Sequence, residues 1–205
     1  MKHKSEDIRE LNIRQLLDGT DQYMIPIYQR NYAWGEKEIE QLIQDILDYL
    51  PKDKKEEKNY FIGTLIINKH TENNILLQET IDGQQRLTTL SLLASVIKEK
   101  LPLDWYQQTN LSFQSRPKST KTLTAIFQDN IQNSQSYNDN ILNGYQLIQK
   151  HLDKKLAAEE VNLEDFASYL FSQVKIVRVQ VPADTDLNHY FEIMKILPPR
   201  IHTSS

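Results

Sequence analysis

The sequence predicts an α+β domain, on three observations. Residues 60–67 (YFIGTLII) and 75–81 (ILLQETI) are short apolar runs of strand type, joined by the polar link 68–74. Residues 174–181 alternate through Val174, Ile176 or Val177, Val179 and Val181, which marks a third strand. Between and around them lie segments of helical period, notably 83–100, where Leu87, Leu90, Ala94 and Ile97 form one stripe that Leu101 continues.

Taken in order, residues 5–17 place Ile8, Leu11, Ile13 and Leu16-Leu17 at helical spacing, and Asp18-Gly19 ends the segment. In 23–34, Pro26 lacks a backbone N–H and keeps Ile25 extended, so an edge segment or structured loop is expected. Tyr28, Tyr32 and Trp34 crowd Gln29 and Arg30 there; the rings either stack a base beside the guanidinium or simply anchor the loop on the core. Residues 36–50 carry Ile39, Leu42-Ile43, Ile46-Leu47 and Leu50 on one helical face, stopped by Pro51. The charge run 52–58 (KDKKEEK) has no apolar partner and is a solvated loop. Pro102 closes the helix that starts at 83.

Residues 103–136 are polar, without a clear period. They hold the basic cluster Arg116, Lys118 and Lys121, which either meets phosphates or is solvated. Helices are expected over 137–156 and 163–172, and another begins at 184–196. One domain over 1–196 and an irregular tail over 197–205 follow, since Pro198-Pro199 ends the last helix abruptly.

Composition narrows the class. The net charge of −4 provides no general basic field, so any DNA contact must be local. With no cysteine there is neither a disulfide nor a thiolate metal site, and a reducing cytoplasmic setting is expected. No apolar run has membrane-spanning length, so no membrane partner is expected. The five histidines, His3, His70, His151, His189 and His202, show no metal-ligand spacing.

Chemistry concentrates at residues 81–90 (IDGQQRLTTL), where a strand feeds a helix. Helix starts have unpaired N–H groups and hold anions. Asp82 is expected as the N-cap, and Gly83 permits a tight turn or a close approach. Gln84, Gln85 and Arg86 then offer several N–H donors, Arg86 a two-pronged one for phosphate or carboxylate. On these residues alone, a site for a phosphorylated ligand stands against an ordinary capped helix.

Three segments in this order, IPIYQRNYAW (25–34), YFIGTL (60–65) and IDGQQRLTTL (81–90), resemble the N-terminal domain of GmrSD-type, modification-dependent restriction endonucleases, within the ParB/sulfiredoxin-like superfamily. Residues 184–194, ending YFEIM, resemble a later block of that family. The resemblance implies a ParB/sulfiredoxin-like fold, a small mixed sheet packed by helices. It also implies nucleoside triphosphate binding with Mg²⁺, and hydrolysis coupled to DNA cleavage by a His-Asn-His nuclease domain or subunit. Carried over residue by residue, it makes Asp82, Gln84, Gln85 and Arg86 catalytic. Gln29, Arg30, Asp82, Gly83, Gln84, Gln85 and Arg86 bind the cofactor, and Asp82 holds the metal. The expected function is thus a nucleotide-binding, NTP-hydrolysing sensor of a phage-defence restriction system that meets modified DNA. A non-hydrolysing DNA-binding module and an inactive truncated fragment are the alternatives.

Two departures qualify the match. Lys195-Ile196-Leu197-Pro198-Pro199 stands where the family has an Asn-x-Arg-Gly-like segment, as a truncation or frame change would leave it, and no nuclease domain follows. Slow hydrolysis or none is therefore expected of this chain alone.

Overall fold

The computed structural model describes residues 7–53, 56–131 and 136–182. Twelve elements follow one another: β1 (Asp7–Asn12), α1 (Ile13–Leu17), β2 (Gln22–Ile25), α2 (Glu36–Tyr49), β3 (Tyr60–Glu72), β4 (Ile75–Asp82), α3 (Gln84–Lys98), β5 (Leu111–Phe113), α4 (Pro117–Phe127), α5 (Asp139–Ala158), α6 (Leu163–Ser172) and β6 (Val174–Gln180). The α+β class is as expected, but the sheet is larger than three strands. Its order is β1-β6-β3-β4-β2-β5. The pairs β1–β6 and β3–β4 are antiparallel, while β6–β3, β4–β2 and β2–β5 are parallel.

One face of the sheet meets the helices. Leu65, Ile67, Tyr23, Ile25, Leu111, Phe113, Val174 and Ile176 from the strands join residues of all six helices in one core. Successive strand residues point to opposite faces, so Ile66, between Leu65 and Ile67, joins Ile81 and Val181 in a separate small cluster.

Helix α3 is the centre of this core. It is buried all round, not only on the expected stripe: every residue from Leu87 to Ile97 is buried. Its polar residues are compatible with that because they bond back to their own helix. Thr88 donates to the Gln84 carbonyl at 2.8 Å, Thr89 to that of Gln85 at 2.9 Å and Ser95 to that of Ser91 at 3.0 Å.

Several expectations are corrected. Residues 5–17 are not one helix: Asp7–Asn12 is an edge strand, and only Ile13–Leu17 is helical, capped by Asn12, which accepts from Gln15 N–H at 2.8 Å. Strand β2 is interior, since Pro26 lies one residue beyond its end and removes no ladder donor. The 68–74 link is mostly strand, and the hairpin turns at Asn73 and Asn74, both with positive φ. The polar stretch 103–136 contains β5 and α4. The helix expected at 184–196 and the tail 197–205 lie outside the described residues. Among the described residues, no helix is long and apolar enough to cross a membrane.

A buried polar network unforeseen in the sequence ties the sheet to the α1–β2 turn. Arg178, 4% exposed, donates to Asp21 and, at 2.8 Å, to the Tyr23 hydroxyl, while Gln78 donates to Asp21 at 3.2 Å.

Candidate functional site

The cleft is built where β4 delivers the chain to α3. Strand β3 pairs with β4 through a register shift between Ile66 and Ile67, so the ladder is irregular as the chain nears Asp82. Gly83 then takes φ +92, a left-handed turn that glycine enters without steric cost. A Cβ there would come within 2.9 Å of the Thr64 carbonyl, so the turn also needs the bare backbone. Gly83, not Asp82, occupies the N-cap position, and among the described residues no side chain caps the helix. Asp82 instead accepts from the Gly83 N–H at 2.8 Å. The first intrahelical bond runs from Leu87 N–H to the Gly83 carbonyl at 3.0 Å, so the N–H groups of Gln84, Gln85 and Arg86 have no intrahelical partner.

Residues 26–34 form the other wall, and the chain fastens them at every few residues. Tyr28 donates to Glu79 at 2.9 Å. The Gln29 side-chain amide donates to the Ile81 carbonyl at 2.6 Å and accepts from Gln84 Nε2 at 3.1 Å. Gln85 Oε1 accepts from Ala33 N–H at 2.8 Å, and its Nε2 donates to the Asn31 carbonyl at 3.1 Å. Tyr32, 3% exposed, shares a 2.9 Å hydrogen bond with Thr89 and packs on α5 where Gly144 leaves room for its ring. From the far side, Arg116 Nη2 donates to the Ile27 carbonyl at 2.7 Å and to that of Gln29.

These fastenings bring together segments some fifty residues apart in the chain. Gln29, Arg30, Trp34, Asp82, Gly83, Gln84, Gln85 and Arg86 line one open cleft of about 430 Å³. All seven residues named from the sequence are there, joined by Trp34. The structure divides them by what their polar atoms already do. Gln85 was expected among the catalytic and cofactor-binding side chains; both ends of its amide are taken up by the loop backbone, so it is a staple. Gln84 and Gln29 brace each other. Arg30 and Arg86 have no hydrogen-bond or ion-pair partner among the described residues, and both face the cleft.

Burial lowers the Arg86 pKa from its ordinary value, opposed by the charge of Asp82 and then by Tyr60. A guanidinium does not lose its proton in a protein, so Arg86 is a partly desolvated cation. Tyr60, stacked on Tyr49 with ring centroids 4.3 Å apart, is pushed up to about 12, chiefly by burial. Its hydroxyl therefore stays neutral.

The basic cluster comes apart. Arg116 is turned onto the 26–34 loop, whereas Lys121 reaches Ser136 at 2.8 Å and lies over the Tyr137 ring. Among the described residues, no group of three or more His, Cys, Asp or Glu side chains is placed to hold a metal ion. Asp82 is a single exposed carboxylate with one oxygen engaged by Gly83, a donor set that fits Mg²⁺ where phosphates and water supply the other ligands.

An uncharacterized protein of Methanocaldococcus jannaschii is 28% identical over 124 aligned residues, which cover 50% of this chain and 19% of that relative. The family model described as the GmrSD restriction endonuclease, N-terminal domain, matches residues 13–195. That span takes in the 26–34 loop, the bulged β3 strand and the Asp82–Arg86 turn, so the chain belongs to the GmrSD restriction endonuclease family through its N-terminal domain.

Proposed function

We propose that this domain binds a nucleoside triphosphate with Mg²⁺ in the cleft between the 26–34 loop and the start of α3, as the nucleotide-sensing part of a restriction system acting on modified DNA. The observation that carries this reading is that Arg30 and Arg86, which have no hydrogen-bond or ion-pair partner among the described residues, line one cleft with a helix start whose first three N–H groups have no intrahelical partner. Such an arrangement concentrates positive charge and donors on a small volume, which suits a polyphosphate chain better than a single carboxylate.

Each lining residue then has a role set by its chemistry. Arg86 and Arg30 neutralise phosphate oxygens. The N–H groups of Gln84, Gln85 and Arg86 donate to a phosphate at the helix start. Trp34, partly buried beside Arg30, offers a ring face on which a base can stack. Asp82 is the carboxylate that would hold Mg²⁺; the ion would supply further neutralisation of the phosphates. Asp82 also stands where an attacking water can be oriented. Gln29, Gln84 and Gln85 keep the walls in register. DNA and a nuclease domain or subunit are the proposed partners, with hydrolysis as the signal passed to them.

The test is to measure nucleotide binding and phosphate release separately. Asp82→Ala is expected to suppress Mg²⁺-dependent phosphate release more strongly than binding. Equal loss of both would remove Asp82 from the hydrolytic step, and no binding by the unaltered protein would overturn the reading.

A further inference from the structure

Gly63 sits in β3 at a place where that strand carries an extra residue. Phe61 pairs with Lys175 and Thr64 with Val177, so three steps along β3 match two along β6. This is a bulge, and Gly63 takes φ +130 within it, a conformation that side chains disfavour. Backbone conformation is only half of what this position requires. A Cβ built on Gly63 would meet Arg86 Nη1 at 2.8 Å, Cζ at 2.9 Å and Nη2 at 3.2 Å. Three atoms of one planar group at such similar distances mean that the guanidinium lies face-on over the glycine. An edge-on approach would put Cζ well behind both nitrogens. One face of Arg86 is thus covered by bare backbone, which leaves the N–H edges of the guanidinium clear of the glycine in a residue that lines the cleft.

We propose that Gly63 is a positioning residue: its bare Cα is the seat on which the Arg86 guanidinium lies flat, fixing the plane in which Arg86 presents its fork to an oxyanion in the cleft. The identity of that oxyanion as a nucleotide phosphate rests on the function proposed above; the seat does not. A two-pronged contact depends on the orientation of the guanidinium plane, which an ammonium lacks. The bulge serves the same end, because it brings the β3 backbone under the start of α3 at the residue where only glycine leaves room. Any side chain at 63 would lift the guanidinium off the backbone and tilt its fork.

The test is a double-mutant cycle on wild type, Gly63→Ala, Arg86→Ala and the double variant, read by Tm and by calorimetric titration with Mg²⁺ and nucleoside triphosphates. Gly63→Ala is expected to lower Tm more in the presence of Arg86 than in combination with Arg86→Ala, because only the first background contains the clash. It is expected to weaken nucleotide binding about tenfold to a hundredfold, the scale of one charge-assisted bond, and to weaken it no further in the double variant. Equal Tm losses in the two backgrounds, or failure of Gly63→Ala to fold in both, would assign the glycine to its positive φ alone and overturn the seat. Tm coupling with unchanged affinity in Gly63→Ala would overturn the positioning role. If wild type binds no nucleotide while the Tm coupling persists, the proposed function fails and the seat stands.

Discussion

The Gln84 side-chain amide donates to the Gln29 side-chain oxygen at 3.1 Å, joining the start of α3 to a loop 55 residues earlier. Beside it, Gln85 spends both ends of its amide on Ala33 and Asn31. Two adjacent glutamines thus hold one wall of the cleft against the other, and they do so by different means. Gln84 reaches a side chain, whereas Gln85 reaches only backbone.

Gln85→Ala should therefore act on stability before chemistry. It leaves the Ala33 N–H and the Asn31 carbonyl without their partner, in a part-buried setting, at a cost of about 1–3 kcal/mol. Urea unfolding of the variant measures this directly. A loss of only a few tenths would mean that the loop is held by its other contacts. Gln85→Glu should not rescue it, because a carboxylate accepts from Ala33 but cannot donate to Asn31.

The division between staple and ligand donor was hidden in the sequence for a physical reason. Gln84, Gln85 and Arg86 are neighbouring donors, and nothing local says which of them already has a partner. Strands 60–67 and 75–81 and the helix after Gly83 were legible because they are apolar and long enough to show a period. Strand β1 was misread because an edge strand buries little: Ile8 is 60% exposed, so its spacing from Leu11 imitated a helix. Strand β5 has three residues and exists only through its pairing with β2. Helix α4 was masked by hydroxyls that turn back on the helix, as Thr122 does to the Lys118 carbonyl and Thr124 to that of Thr120. The positive φ of Gly63 and the ring space at Gly144 leave no trace in composition, since only packing reveals what a missing Cβ admits.

Arg116, grouped in the sequence with Lys118 and Lys121 as a cluster that either meets phosphates or is solvated, holds the carbonyls of Ile27 and Gln29. Arg116→Ala is expected to weaken nucleotide binding by loosening the Gln29-Arg30 wall, while leaving the salt dependence of any duplex binding unchanged. Lys118→Ala and Lys121→Ala should show the opposite pattern, each reducing the salt slope by about one if it neutralises a phosphate. Duplex binding over a salt series, with nucleotide titrations alongside, separates the two. An Arg116→Ala protein with a reduced salt slope and normal nucleotide affinity would return Arg116 to DNA.

Helices α2 and α5 are joined by Glu36, which accepts from Lys150 and His151 at 2.8 Å each. The Lys150 hydrogen bond, followed by that of His151, holds the Glu36 pKa below its ordinary value of 4.5. A carboxylate whose pKa is depressed by folding contributes stability that is complete above the unfolded value and is lost as pH falls through the folded one. Wild-type Tm should then fall below about pH 4.5 more steeply than that of Glu36→Gln, whose amide does not titrate. Parallel curves over pH 3–6 would show that Glu36 contributes nothing to acid stability.

The central proposal is that Arg86, which lines the cleft and has no hydrogen-bond or ion-pair partner among the described residues, meets a phosphate there. The most direct measurement is calorimetric titration of the four nucleoside triphosphates, each with Mg²⁺, into wild type and Arg86→Ala. At least one nucleotide should bind wild type, and the variant should lose about 1.5–3 kcal/mol of that binding, the value of a charge-assisted hydrogen bond. Binding of equal strength to both proteins, or to neither, would contradict the account.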